Sequence, residues 1–201
     1  ERDKGRKPLD REVNDPTDEE LDTYTEGVKK RLKELTHARH DERRAKEALA
    51  REKAELERLA LAGLVHDIGL FAVPQSLVTK AGRLTSDERA LIEQHPELGY
   101  EAIKRAGADY VWLAELIWQA HERANGLGYP HRLKGRQISE MALIIGVSDV
   151  FDALISERPY RLRLFPHEAI KELLVAERAA FPREMTKALV EQLSVYPLGT
   201  T

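Results

Sequence analysis

The 201-residue chain contains no cysteine. That excludes a disulfide framework and any thiolate metal site, and leaves histidine, aspartate and glutamate to hold a transition metal. No apolar run approaches the roughly 20 residues needed to span a bilayer, and no secretory leader opens the chain, so the sequence reads as cytoplasmic with no membrane span. A charge excess of one sign is also missing. The 32 Lys+Arg against 35 Asp+Glu give a formal charge of −3, which provides no general attraction for nucleic acid while leaving room for a local basic pocket. Convincing strand alternation, internal repeats and the glycine spacing of a P-loop or dinucleotide site are all absent. The first residue is Glu rather than Met, from which a piece of something longer is expected.

What remains is helix. The apolar share is 42% and the charged share 33%, the balance of a helix-rich chain with heavily solvated faces. Residues 1–20 carry charge and two prolines with little apolar periodicity and read as a linker or arm. From about Asp18 to Leu61 the chain is dense in Glu, Lys, Arg, Ala and Leu, with only Gly27 as a weak break, which predicts a long charged helical extension able to meet a partner helix or an upstream domain. The apolar run Leu59–Val65 leads into His66-Asp67, and Ile68-Gly69 ends the pattern. Thr85 with Glu88 three residues on has capping-box spacing and predicts a helix over Asp87–Gln94, with a kink at His95 because proline follows it. Apolar spacing predicts helices over Tyr110–Arg123 and Glu140–Glu157, and two closing helices over Pro166–Ala180 and Arg183–Ser194. Between the first two of these, Asn125-Gly126-Leu127-Gly128-Tyr129-Pro130 has turn chemistry throughout.

A carboxylate inside an apolar helix, such as Asp149, requires a cation or donors. His37 or His40, His66-Asp67, His95, His121 and Asp149 lie at helix ends or in apolar helices. Side chains that converge in this way can hold Zn, Fe, Mn or similar ions. Asp152, one turn beyond Asp149, reads as a packing or ligand-supporting carboxylate, His131 as an exposed loop residue, His167 as a residue near a helix cap, and Trp112 and Trp118 as core or interface aromatics.

The ordered runs His66-Asp67-Ile68-Gly69, His95-Pro96-Glu97-Leu98-Gly99, His121-Glu122-Arg123 with Gly126-Leu127-Gly128-Tyr129-Pro130, Ser148-Asp149 through Leu154, and Arg158-Pro159-Tyr160-Arg161 resemble those of HD-GYP domains. These are a branch of the HD metal-dependent phosphohydrolases that hydrolyse cyclic di-GMP. Tyr196-Pro197-Leu198-Gly199-Thr200 resembles that family's terminus. The resemblance implies an all-α, multi-helix HD-type bundle over residues 37–201, preceded by a charged linker and helical extension over 1–36. It implies two divalent transition metals, Fe or Mn rather than Zn. His40 (with His37 in reserve), His66, Asp67 and Asp149 would hold the first, and Asp67, His95 and His121 the second. Asp67 and Tyr129 would serve catalysis, while Gly128, Tyr129, Arg158 and Arg161 would bind cyclic di-GMP or its linear product. Signalling partner proteins, an upstream sensory domain and a homodimer through the N-terminal helix are further expectations.

This chain departs from the family pattern at positions that bear on chemistry. Leu70 stands where the family has a lysine able to reach the scissile phosphate, and Ala120 stands where a second histidine precedes His121. Ala124-Asn125 replaces Trp-Asp, and Thr36 occupies the position of a third-metal glutamate if His40 is the ligand. The expectation is a weakened or empty second metal site and reduced turnover, or alternatively a module that binds a cyclic dinucleotide or a partner protein without turnover.

Overall fold

The structure is a computed structural model and describes residues 17–157, 163–175 and 177–194. Its described residues form nine α-helices and no strand: α1 Asp18–Asp22, α2 Glu26–Val65, α3 Gln75–Val78, α4 Ser86–Ile92, α5 His95–Arg105, α6 Val111–Gln119, α7 Glu140–Ile155, α8 Pro166–Val175 and α9 Arg183–Ser194. The all-α expectation is met. None of the described helices is long and apolar enough to cross a membrane. The chain divides into two compact units at Glu55/Leu56.

In the first unit, α1 opens with a capping box: the Glu20 N–H donates to Thr17 Oγ1 (3.3 Å) and the Thr17 N–H to Glu20 Oε2 (2.9 Å). The expected unbroken helix stops after Asp22. The Thr23 hydroxyl donates to the Glu20 carbonyl at 2.7 Å, and a side chain that competes for backbone partners in this way favours a helix end over continuation. Gly27, the anticipated weak point, lies inside α2. Ion pairs one turn apart, including Arg31–Glu34 (3.2 Å) and Lys46–Glu42 (2.7 Å), lace the exposed faces of α2, where solvent screens them and each adds little.

The second unit is organised by two apolar helices. Leu113, Leu116 and Ile117 of α6 meet Ala142, Leu143, Ile145 and Val147 of α7, joined by Ala62, Leu173 and Phe181. Phe151, Leu154 and Ala169 form a smaller cluster at the far end of α7. Helix α5 packs against α6 and against the 3-10 turn Ile68–Ala72. The capping box at Thr85 and Glu88 is present, with the Glu88 N–H donating to Thr85 Oγ1 at 3.2 Å.

Several boundaries differ from expectation, and each has a local reason. His95 is the first residue of α5 rather than a kink before it, because Pro96 needs no amide partner in a first helical turn. Helix α6 ends at Gln119, since the His121 carbonyl accepts the Tyr129 N–H (3.2 Å) rather than a helical amide. Helix α7 ends at Ile155, short of the predicted Glu157, because Ser156 turns to extended backbone (ψ 142°), and residues 177–180, predicted as helix, form a turn in which the Ala180 N–H donates to the Glu177 carbonyl at 2.9 Å. The runs at 158–161 and 196–200 lie outside the described residues.

Candidate metal centre

Five segments of the second unit each deliver one part of a polar cluster. His66 follows the last residue of α2, and its Nδ1–H donates to the Gly63 carbonyl at 2.7 Å. Asp67 starts the turn Ile68–Ala72, its carbonyl accepting the Leu70 N–H at 2.9 Å. His95 opens α5, with Nδ1–H donating to the Ile92 carbonyl at 2.9 Å. His121 follows the end of α6, and Asp149 sits in α7. In both His66 and His95, a backbone carbonyl three residues earlier engages Nδ1. That fixes the tautomer and turns the Nε2 lone pair of the neutral ring toward the cluster, the arrangement seen in metal-ligating imidazoles.

The three Nε2 atoms converge on one oxygen. Asp67 Oδ1 lies 3.0 Å from His121 Nε2, 3.1 Å from His95 Nε2 and 3.4 Å from His66 Nε2. Asp149 approaches from the other side, with Oδ1 3.8 Å from His66 Nε2 and Oδ2 3.6 Å from His121 Nδ1. His95 and His121 are buried and the other three are partly buried. Among the described residues, the buried side-chain polar atoms without a hydrogen-bond partner are His66 Nε2 and His95 Nε2. Buried ring nitrogens without a partner are costly unless something fills the gap, and once His66 gives up its proton a divalent cation fits this donor set. Ligand atoms of His66, Asp67 and His121 all lie within 4.8 Å of one another. Gly63, His66, Asp149 and the exposed Asp152 also line a cleft of about 350 Å³.

Protonation follows the same geometry. The Asp149 carboxylate, against the desolvation of burial, pushes His66 up to about 9. Burial holds His121 below the usual imidazole range. Burial would raise Asp67, yet His121, His95 and the charge of His66 hold its carboxyl well below the usual range. Asp149 is lowered likewise: burial opposes ionisation and the contact with His66 outweighs it. The cluster's mobile proton therefore resides on His66.

The glycine-rich loop brings Tyr129 onto this cluster. Its ring stacks on His121 (5.0 Å between centroids, 5° between planes) and meets His95 edge-on at 6.0 Å. Burial raises the phenol far enough to keep it neutral. Gly128 is buried against the Glu122–Arg123 backbone, which a Cβ there would overlap.

Two residues essential to this geometry had no role in the sequence reading. Glu122 is 1% exposed, and its carboxylate accepts the backbone N–H groups of His131 (2.7 Å) and Leu133 (2.9 Å), pinning the loop that carries Tyr129. Gly69 is buried where its backbone meets the His95 carbonyl and the Gly99 amide, so the turn after Asp67 docks directly on the start of α5. Glu122 lay inside a quoted motif, and an acid flanked by His and Arg was its available signal. Gly69 carried none beyond a helix break.

The structure thus brings together His66, Asp67, His95, His121, Asp149 and Tyr129. His37 and His40 lie on α2 in the first unit, and Arg158 and Arg161 lie outside the described residues. Leu70 is half-buried in the turn after Asp67, and Ala120 is 1% exposed within the apolar core. His131 is an exposed loop residue, as expected, with Nε2 3.1 Å from Glu97 and its ring against Trp118 at 4.0 Å.

A family model for the HD domain matches residues 18–181. A cyclic di-GMP phosphodiesterase of Pseudomonas aeruginosa is 37% identical over 140 residues, 69% of this chain and 33% of the relative. The cyclic di-GMP phosphodiesterase response regulator RpfG of Xanthomonas campestris is 40% identical over 116 residues, covering 57% of this chain and 31% of the relative. The chain therefore spans about a third of the length of these curated relatives. A solved structure, Bd1817, a HDG"Y"P protein from Bdellovibrio bacteriovorus, shares the fold with a TM-score of 0.58 at 22% identity, covering 75% of this chain and 47% of that one. These matches bear out the resemblance to HD-GYP domains drawn from the sequence. With its His-Asp pair at the centre of a convergent imidazole and carboxylate cluster, the chain belongs to the HD domain family.

Proposed function

We propose that this domain is a metal-dependent phosphodiesterase acting on cyclic di-GMP or its linear product, in the cytoplasm, under the control of an upstream domain or partner protein. The observation that carries the proposal is the pair of orphaned nitrogens, His66 Nε2 and His95 Nε2, aimed with His121 Nε2 at Asp67. The relatives named for cyclic di-GMP hydrolysis supply the substrate class. His66, Asp67 and Asp149 are assigned to a first metal, and Asp67, His95 and His121 to a second, with Fe or Mn preferred; His40, within the continuous helix Glu26–Val65 that ends just before His66, is not among them. Bound there, divalent metals supply Lewis-acid charge to the scissile phosphate.

The chain's own groups do the rest. Tyr129, neutral and held by its stack on His121, presents a phenol O–H donor toward the bound nucleotide. Gly128 lets that loop lie close against its neighbours, and Arg158 and Arg161 are assigned to the phosphate and base through planar, multi-donor contacts.

Metal uptake must displace the proton from His66. Its pKa of about 9 means that the ring is charged at neutral pH, so affinity is expected to rise about tenfold per pH unit from 6.5 to 8.5 and to level off above 9. Calorimetry of metal binding in buffers of different ionisation enthalpy reads the released proton directly. In the metal-free protein the linkage has its own sign. The contact between protonated His66 and the carboxylates contributes stability fully below about 6.5, and that contribution is lost as pH rises through about 9.

Leu70 and Ala120 favour a second reading, a receptor that binds a cyclic dinucleotide or a partner without turnover. A positioned cation near a transferring phosphoryl group is worth roughly 10²–10³ in rate, and Leu70 supplies none. Restoring it by Leu70→Lys is expected to raise turnover of cyclic di-GMP about tenfold to a hundredfold. Ala120→His is a poorer repair. It forces an imidazole into a fully buried position, and overpacking of that kind costs about 1–3 kcal/mol. A turnover assay on the metal-loaded chain, with and without Leu70→Lys, tests the proposal. Linear dinucleotide or mononucleotide products support it, binding without product from either protein favours the receptor reading, and neither binding nor product rejects both nucleotide readings.

A further inference from the structure

Helix α2 exposes large apolar side chains at intervals of seven. Val28, Leu35, Leu49 and Leu56 are 42%, 53%, 66% and 59% exposed, on a helix whose remaining surface is dense in charge. A seven-residue repeat puts these residues on one seam, the a positions of a heptad, and places Arg31, Ala38, Ala45, Glu52 and Leu59 at d, so the tightest stretch of the seam centres on Ala38 and Ala45. Glu42 occupies the one a position between them that is not apolar.

The flanking charges specify what covers the seam. In this register the g positions carry Glu34, Asp41 and Glu55, while the e positions carry Arg39, Lys46 and Lys53. A parallel, in-register pair of helices sets g of one heptad against e of the next heptad on its partner. Glu34 then faces Arg39, and Asp41 faces Lys46, from both sides of the two-fold axis. No e–g contact in this stretch joins like charges. An antiparallel pair would instead set acid against acid and base against base, which disfavours it. Asp41 and Lys46 also engage Arg44 and Glu42 within their own helix, but such exposed pairs are weak and exchange readily.

We infer that α2 forms a parallel, in-register two-stranded coiled coil with a second copy of this chain, through the seam Val28, Leu35, Leu49 and Leu56. The inference rests on α2 alone and does not depend on the proposed hydrolysis. In an in-register pair the two Glu42 carboxylates face each other at a central a position, a like-charge contact that lowers affinity, so the dimer is expected to dissociate in roughly the micromolar range.

The absence of native cysteine makes the test clean. Ala38→Cys, at a d position, is expected to form a disulfide-linked dimer under mild oxidation, because in a parallel pair each d residue meets its own copy. Ala54→Cys, on the opposite f face, is expected to remain uncrosslinked at the same concentration. Sedimentation analysis supplies the second readout: the full chain should dimerise, Leu35→Glu with Leu49→Glu should be monomeric with unchanged helicity, and Glu34→Lys with Asp41→Lys should weaken dimerisation about tenfold or more. That charge-reversed chain should dimerise preferentially with one carrying Arg39→Glu and Lys46→Glu. A monomer at up to roughly 100 μM, equal crosslinking at positions 38 and 54, or a dimer indifferent to the leucine changes would each overturn the inference.

Discussion

Replacing Asp67 by alanine is expected to lower turnover of cyclic di-GMP by at least about 10³-fold, together with loss of bound metal, while leaving the fold intact. Among the described residues, the Asp67 carboxylate lies within 3.4 Å of all three Nε2 atoms, so it would hold a metal shared with these imidazoles and supply negative charge to it. Its carboxylate takes no part in capping the turn that follows, and removing it unpairs no buried backbone group. Asp67→Asn separates the two roles of the carboxylate. The amide keeps an oxygen for His121 Nε2–H but loses the charge, and a metal-holding role requires the asparagine variant to fail nearly as badly as the alanine. Metal content and kcat measured on both variants decide it, and an asparagine variant with near-normal metal content and turnover would show that Asp67 merely positions His121.

Gly69→Ala should produce the largest loss of stability of any single-methyl change in the second unit, about 3 kcal/mol, or a Tm lower by roughly 6–12 °C. An added Cβ would overlap the His95 carbonyl and crowd the Gly99 amide. Both are backbone atoms of α5 that cannot swing aside as a side chain can, so the turn after Asp67 must lift away from His95, and metal affinity should fall with stability. Gly63→Ala is the internal control. A Cβ there meets nothing within 4 Å, and exchanging glycine for alanine inside a helix should stabilise by about 0.5–1 kcal/mol. Thermal unfolding of the two metal-free variants beside the parent chain checks both signs. Similar melting temperatures for the two would contradict the docking of this turn on α5.

The features legible in the sequence are those whose cause is local. The capping box at Thr85 and Glu88, the apolar width of α6 and α7, and the ordered His and Asp runs each announce themselves within a few residues. Glu122 and Gly69 were silent because their importance comes from segments that reach them only in the folded chain: the amides of His131 and Leu133 in one case and the start of α5 in the other. The end of α6 falls before the point that apolar spacing indicates for the same reason, since the His121 carbonyl is taken by Tyr129 across the loop. The break at Thr23 turned on a single hydroxyl, a competition that composition over a window averages away. Ala120 shows the opposite limit. The sequence registered the missing histidine, but only the packing shows that the position has become part of the core.

The most direct test of the metal centre is elemental analysis of the chain purified after growth in metal-replete medium. The orphaned nitrogens of His66 and His95, converging with His121 on Asp67, predict at least one transition metal per chain, reduced in His66→Ala and His95→Ala. Folded protein of this sequence without bound transition metal, and unable to take up Fe or Mn on addition at pH 8, would contradict it.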